Sequence, residues 1–116
     1  MIDHESKIKD ALEGIPGLKS LSSSWPDDTT AFPAIVVDLA SDQTADRRDD
    51  RPYLTELQYY VRLFARDKND LRRMLAEADA RMAAIGYERV FRFEQNDANV
   101  KQWVTRYLTT VSAQAE

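Results

Sequence analysis

The segment Tyr53 to Ala65, YLTELQYYVRLFA, constrains the fold more than any other part of the chain. Its β-branched and aromatic residues alternate as a strand does. At ~3.3 Å per residue it spans roughly 43 Å. A compact globule of this length has a radius of gyration of ~13 Å and hence a diameter of roughly 35 Å. A straight strand of this kind overhangs its own domain. It is also apolar on both faces. Tyr53, Leu57, Tyr59, Val61 and Leu63 occupy the odd positions, and Leu54, Tyr60 and Phe64 the even ones. One face packs on the chain's own helices. The other needs cover as well, which points to a subunit built for assembly.

Around this strand the sequence resolves into alternating elements. Asp3 to Glu13 reads as an amphipathic helix with Ile8, Leu12 and Ile15 at helical spacing, capped by Asp3 and ended by Gly14, Pro16 and Gly17. Leu18 to Trp25 reads as a serine-rich edge strand or arm. Ala34 to Ala40 (AIVVDLA) reads as a strand with Ile35, Val37 and Leu39 on one face.

Asp67 to Ile85 is the clearest helix. Asp67 and Asp70 form an approximate capping box. Leu71, Met74, Leu75, Ala78, Met82 and Ile85 make one stripe, Glu77 and Arg81 form an i,i+4 pair, and Gly86 takes the left-handed position. Glu88 to Gln95 and Val100 to Val111 follow as strands. In the first, Phe91 and Phe93 alternate against Val90, Arg92 and Glu94, and are expected in the core beneath the second helix. In the second, Trp103, Tyr107 and Val111 oppose Val104 and Leu108.

This order gives one α+β domain over residues 1–116: a mostly antiparallel sheet with two helices packed on one face and a long hairpin loop. The loop is Ser41 to Pro52, SDQTADRRDDRP, which has almost no apolar residue and is expected to be mobile.

Composition removes several function classes. The chain has 116 residues, a net charge of −4 and no cysteine. Thiolate metal sites and disulfides are excluded. The acidic balance argues against gripping a nucleic-acid backbone. The N-terminal MIDHESKIKDALEG lacks a signal-peptide core, and no apolar run approaches the ~20 residues of a membrane helix. The expectation is a protein made in the cytoplasm, with no membrane contact.

No catalytic or cofactor-binding constellation is present. His4 is the sole histidine, at a helix start, where a solvated role accounts for it. The motifs of hydrolases, phosphate loops and zinc proteases are missing. Asp27-Asp28 and Asp49-Asp50 are adjacent carboxylates in polar loops, without the separation that acid–base work needs. The Asp42 to Asp50 stretch carries arginines where a calcium loop needs anions. No metal, cofactor or catalytic residue is therefore assigned.

RVFRF (Arg89 to Phe93) admits one rival reading, base stacking on a sheet as in RRM domains, but the element order and net charge oppose it. The cluster Asp46, Arg47, Arg48, Asp49, Asp50 and Arg51 reads either as a solvated loop or as a docking element that orders on a partner.

In texture and order, nearly the whole chain resembles the tail-terminator or tail-completion proteins of long-tailed phages, also called head–tail joining or minor tail proteins. The matching elements are HESKIKDALEGIPGLK, FPAIVVDL, the charged loop before YLTELQYYVRLFARDKNDL, LRRMLAEADARMAAIGYERV and WVTRYLTTV. The resemblance implies a non-enzymatic ring, typically a hexamer, at the head-proximal end of the tail tube. Such a ring stops tube polymerisation and meets the head connector. DNA passes through it without sequence-specific binding. It also implies a virion component assembled in the host cytoplasm.

By analogy the subunit and tube contacts fall on the loop residues Asp46 to Arg51 and on Tyr53, Leu54, Tyr60, Arg62 and Phe64. The alternatives are a head-side connector or adaptor protein and, further off, a nucleic-acid-binding regulator using Phe91, Phe93 and the arginine loop. An unrecognised small-molecule enzyme ranks last, for want of any nucleophile–base pair.

Overall fold

The computed structural model describes residues 4–24, 26, 30–48, 51–95 and 100–112, with 41–48, 51–54 and 112 described by backbone alone. The elements in chain order are α1 (His4–Leu12), β1 (Ser20–Ser22), β2 (Ala34–Arg48), β3 (Arg51–Ala65), α2 (Lys68–Ala84), β4 (Glu88–Glu94) and β5 (Lys101–Ser112). The expected cap Asp3 lies outside the described residues. The architecture is α+β: five strands in the order β1-β2-β3-β5-β4, with both helices packed on the sheet. All pairings are antiparallel except that of β1 with β2.

The core follows from the alternation along β2 and β3. Ile35 and Val37, then Leu57, Tyr59, Val61 and Leu63, turn to the helices and are buried with Tyr107 of β5. Ile8 and Leu12 of α1 and the α2 stripe Leu71, Met74, Leu75, Ala78 and Met82 close over them. Each such side chain contributes about 1.5–3 kcal/mol when removed from water.

Helix α2 starts and stops as its sequence dictates. Asp67 accepts a hydrogen bond from the Asn69 amide at 2.9 Å, and Gly86 adopts φ +93° just past the end. A side chain at that angle meets its own backbone, so glycine fits there. The expected Glu77–Arg81 pair is present at 3.0 Å. Arg81 does more than pair along its helix. It donates through Nη1 to the Ala11 carbonyl at 3.0 Å and through Nη2 to the Gly14 carbonyl at 3.1 Å. Arg73 donates to the Pro16 carbonyl at 2.7 Å. Two arginines of α2 thus satisfy carbonyls at and beyond the end of α1, and they pin the two helices together.

The long segment Ser41 to Pro52 corrects a sequence expectation. It is not a loop. Strand β2 continues to Arg48 and β3 begins at Arg51, so only Asp49 and Asp50 separate the strands, and both lie outside the described residues. The ladder runs on through Asp42↔Leu57, Thr44↔Thr55 and Arg48↔Arg51, with register shifts after Leu39, Thr44 and Asp46.

The physical reason is backbone satisfaction. Strand β3 is paired on both sides, to β2 and, as far as Leu54↔Ser112, to β5. That continuous ladder outweighs the weak strand propensity of aspartate. The hairpin makes the molecule long: its principal extents are 52 × 24 × 24 Å and its radius of gyration is 15.2 Å. The overhang expected from Tyr53 to Ala65 is present.

Candidate functional site

The helices cover one side of the sheet. No helix covers the opposite side, and its side chains fall in cross-strand rows over four strands, buried at the Ala34–Phe64 end and exposed at Phe91 and Phe93. Asp38, Tyr60, Arg106 and Phe91 are register partners in sequence across β2, β3, β5 and β4. Val36, Arg62, Val104 and Phe93 form the next row, and Ala34, Phe64 and Gln102 the one after. Ala34, Val36 and Phe64 are buried in a second small cluster, with Phe32 and Val100 packed on it.

Electrostatics tie the first row to Arg62 of the second. Arg62 pairs with Asp38 at 2.8 Å and lies 5.1 Å from the Tyr60 ring centroid. The Arg106 guanidinium sits between two rings, 4.9 Å from Tyr60 and 4.7 Å from Phe91. It also donates a hydrogen bond to the Tyr60 hydroxyl. Phe91 and Phe93 stack with centroids 5.9 Å apart. Cations over ring faces are attracted by the ring quadrupole, so the row forms a chain of alternating cations and rings across three strands.

Phe91 and Phe93 therefore lie on the open face, 39% and 40% exposed, and not beneath the second helix as their alternation suggested. The cause is the other side of β4. Arg92 donates to Asp79 of α2 and, at 2.8 Å, to Thr105 Oγ1. Arg89 reaches the same carboxylate at 3.5 Å. The Tyr107 hydroxyl donates to it as well. A half-buried aspartate on the helix attracts the arginines, and a bulge at Val90 sets the register so that both arginines face it. The phenylalanines are left on the far side. The Tyr107 hydroxyl is pushed well above its ordinary pKa by burial and then by the bond to Asp79, against a lowering by Arg92.

The residues assigned to assembly by resemblance separate into two groups. Tyr60 and Arg62 are in contact on the face away from the helices, and Phe64, on the same face, is buried in the cluster with Ala34 and Val36. The backbones of Asp46, Arg47, Arg48, Arg51, Tyr53 and Leu54 lie in the distal hairpin, and their side chains, like all of Asp49 and Asp50, lie outside the described residues. Sequence reasoning missed Arg106 and Asp38. Alternation alone places Arg106 with Val104 and Leu108, but its ring partners depend on the strand order.

Among the described residues no group of three or more acidic or histidine side chains is arranged to hold a metal ion, and no helix is long and apolar enough to cross a membrane. No protein-family model matches the chain, and no curated protein matches it either.

Proposed function

We propose that this chain is a structural, non-enzymatic subunit of a long-tailed phage: a tail terminator that forms a ring at the head-proximal end of the tail tube. Its partners are copies of itself, the tail-tube protein and the head connector, with DNA passing through the ring. The resemblance of the sequence suggests the family.

The observation that carries the reading is the β2–β3 hairpin. Each strand is 15 residues long, and the molecule is 52 Å in its longest dimension against 24 Å in the others. A two-stranded projection stabilises itself poorly in water, and an assembly supplies the missing cover. The open sheet face, with its exposed aromatic pair, gives a second surface for contact.

The test is assembly with the tail-tube protein. Light scattering and electron microscopy should show rings capping tubes of uniform length. A protein that stays monomeric with tube protein present, and leaves tube length uncontrolled, refutes the proposal. Gene deletion separates the head-side adaptor reading: loss of a terminator gives overlong or headless tails, whereas loss of an adaptor gives DNA-leaking heads with normal tails.

One observation favours a second reading. Phe91 and Phe93 are exposed on an open sheet beside Arg106, as base-stacking surfaces are. Against it, Arg62 is paired with Asp38 and the chain is acidic. Steeply salt-dependent binding of a single-stranded oligonucleotide, lost in F91A/F93A, is the result that would establish it.

A further inference from the structure

Among the described residues the arginines drawn in from solvent are Arg62, Arg81, Arg92 and Arg106. Arg62 meets Asp38 at 2.8 Å, Arg81 meets Glu77 at 3.0 Å and Arg92 meets Asp79 at 2.5 Å. Arg106 reaches no carboxylate among the described residues. Its neighbours are the Tyr60 and Phe91 rings and the Tyr60 hydroxyl, which accepts a hydrogen bond from Nη2. Its Nε is buried with no hydrogen-bond partner among the described residues. Rings and one hydroxyl offset part of the cost of withdrawing a full charge from water, and a carboxylate offsets more.

Beside this cation stand Phe91 and Phe93, stacked on one another and exposed on β4, the last strand of the sheet. An unmatched positive charge next to an apolar platform complements one carboxylate next to apolar side chains. The surroundings limit the ligand to a single anion. Glu56 and Glu88 take the same face, as register partners of Thr110 and Leu108, and Asp38 already holds Arg62. A row of phosphates would meet these carboxylates, so a nucleic-acid strand fits poorly. The surface crosses β3, β5 and β4, about 10 Å at the usual strand spacing, which is the width of an extended protein segment.

We propose that the surface of Tyr60, Arg106, Phe91 and Phe93 docks a segment of another protein that carries a glutamate or aspartate flanked by apolar side chains. The carboxylate pairs with Arg106, and the apolar side chains cover Phe91 and Phe93. This inference stands apart from the tail-ring reading. It names the chemistry of a partner at one surface, and it holds or fails whether or not the chain caps a tail tube.

The probes are acetylated tripeptide amides with Glu or Asp at the centre and Leu, Val, Phe or Trp on either side, each paired with its Gln or Asn counterpart. They are titrated into the isotope-labelled full-length protein and followed by amide chemical shifts. An acidic tripeptide should bind with a dissociation constant on the order of 1 mM and shift Tyr60, Phe91, Phe93 and Arg106, and its uncharged counterpart should bind about tenfold more weakly. The acid-against-amide comparison uses the unaltered protein and so does not depend on any variant folding. Arg106→Gln should abolish the preference for the acid, whereas F91A/F93A should weaken both members of a pair alike. Equal binding of acid and amide, shifts away from this row, or no binding by any tripeptide at about 10 mM overturns the proposal. A thymidine oligonucleotide that shifts the same residues when no acidic tripeptide does so assigns the surface to nucleic acid and overturns it as well.

Discussion

Arg92 of β4 donates through Nη2 to Asp79 Oδ1 of α2 at 2.5 Å, and this bond decides which way the strand faces. Arg92 is only 14% exposed, and the same carboxylate accepts from the Tyr107 hydroxyl. Removing Asp79 leaves a largely buried guanidinium and a buried hydroxyl short of a partner. Asp79→Ala should cost about 1.5–3 kcal/mol of unfolding free energy in urea denaturation, the range for charged hydrogen bonds. A loss under 0.5 kcal/mol, the ordinary effect of a surface substitution, means that Asp79 does not anchor the strand.

Stability should fall on the alkaline side through two tyrosines. Burial, and then the neighbouring Tyr59, push the Tyr87 hydroxyl up to about 12, and Tyr107 is raised further by burial and Asp79. An unfolded tyrosine titrates near ~10. The folded state therefore holds protons that the unfolded state releases. This contribution is complete below pH ~10 and is lost as pH rises through the folded values. The melting temperature should drop steeply between pH ~10 and ~12. Among the described residues the Tyr87 hydroxyl has no hydrogen-bond partner, so Tyr87→Phe should be close to neutral at pH 7 and should flatten part of the alkaline loss. An equal slope in the variant contradicts the assignment.

The stripe from Leu71 to Met82, the Asp67 cap and Gly86 were readable because each depends on spacing within one helix. The same holds for the inward residues Leu57 to Leu63, whose alternation has a single apolar solution under two helices. Phe91 and Phe93 were placed on the wrong side because alternation gives two faces without saying which one is covered. That choice belongs to Asp79, ten or more residues away on α2, and to a bulge that the sequence does not mark. Ser41 to Arg48 hid its strand for a related reason. Its composition argues for a loop, and the deciding term is the backbone ladder that β3 offers. Arg81 likewise reads as an i,i+4 partner of Glu77, and its bonds to Ala11 and Gly14 appear only once the helices are packed.

The hairpin tip separates assembly from stability. Arg48 and Arg51 are direct cross-strand partners, and Arg47 is opposite Pro52. Like charges directly opposite are unfavourable, and R47E/R48E/R51E exchanges one like-charged pair for another. The monomer should lose no more than about 0.5 kcal/mol, while ring formation or tube capping should be impaired. A large fall in melting temperature shows instead that these arginines hold the hairpin itself together.

The Tyr60–Arg106–Phe91 row should behave as a coupled unit. Arg106 is flanked by two rings at 4.9 and 4.7 Å and bonded to the Tyr60 hydroxyl, while its Nε has no hydrogen-bond partner among the described residues. A double-mutant cycle between Arg106→Leu and Tyr60→Leu isolates the interaction, because each single change removes it and leaves an apolar group of similar bulk. The coupling combines a cation–π contact with a charged hydrogen bond and should be about 1–2 kcal/mol. Raising the salt concentration should weaken it only slightly, since close contacts within a partly buried row are poorly screened. Additive single changes, with coupling below about 0.3 kcal/mol, show that the row is a surface coincidence. The open face would then owe its order to Val36, Val104 and Phe64 alone.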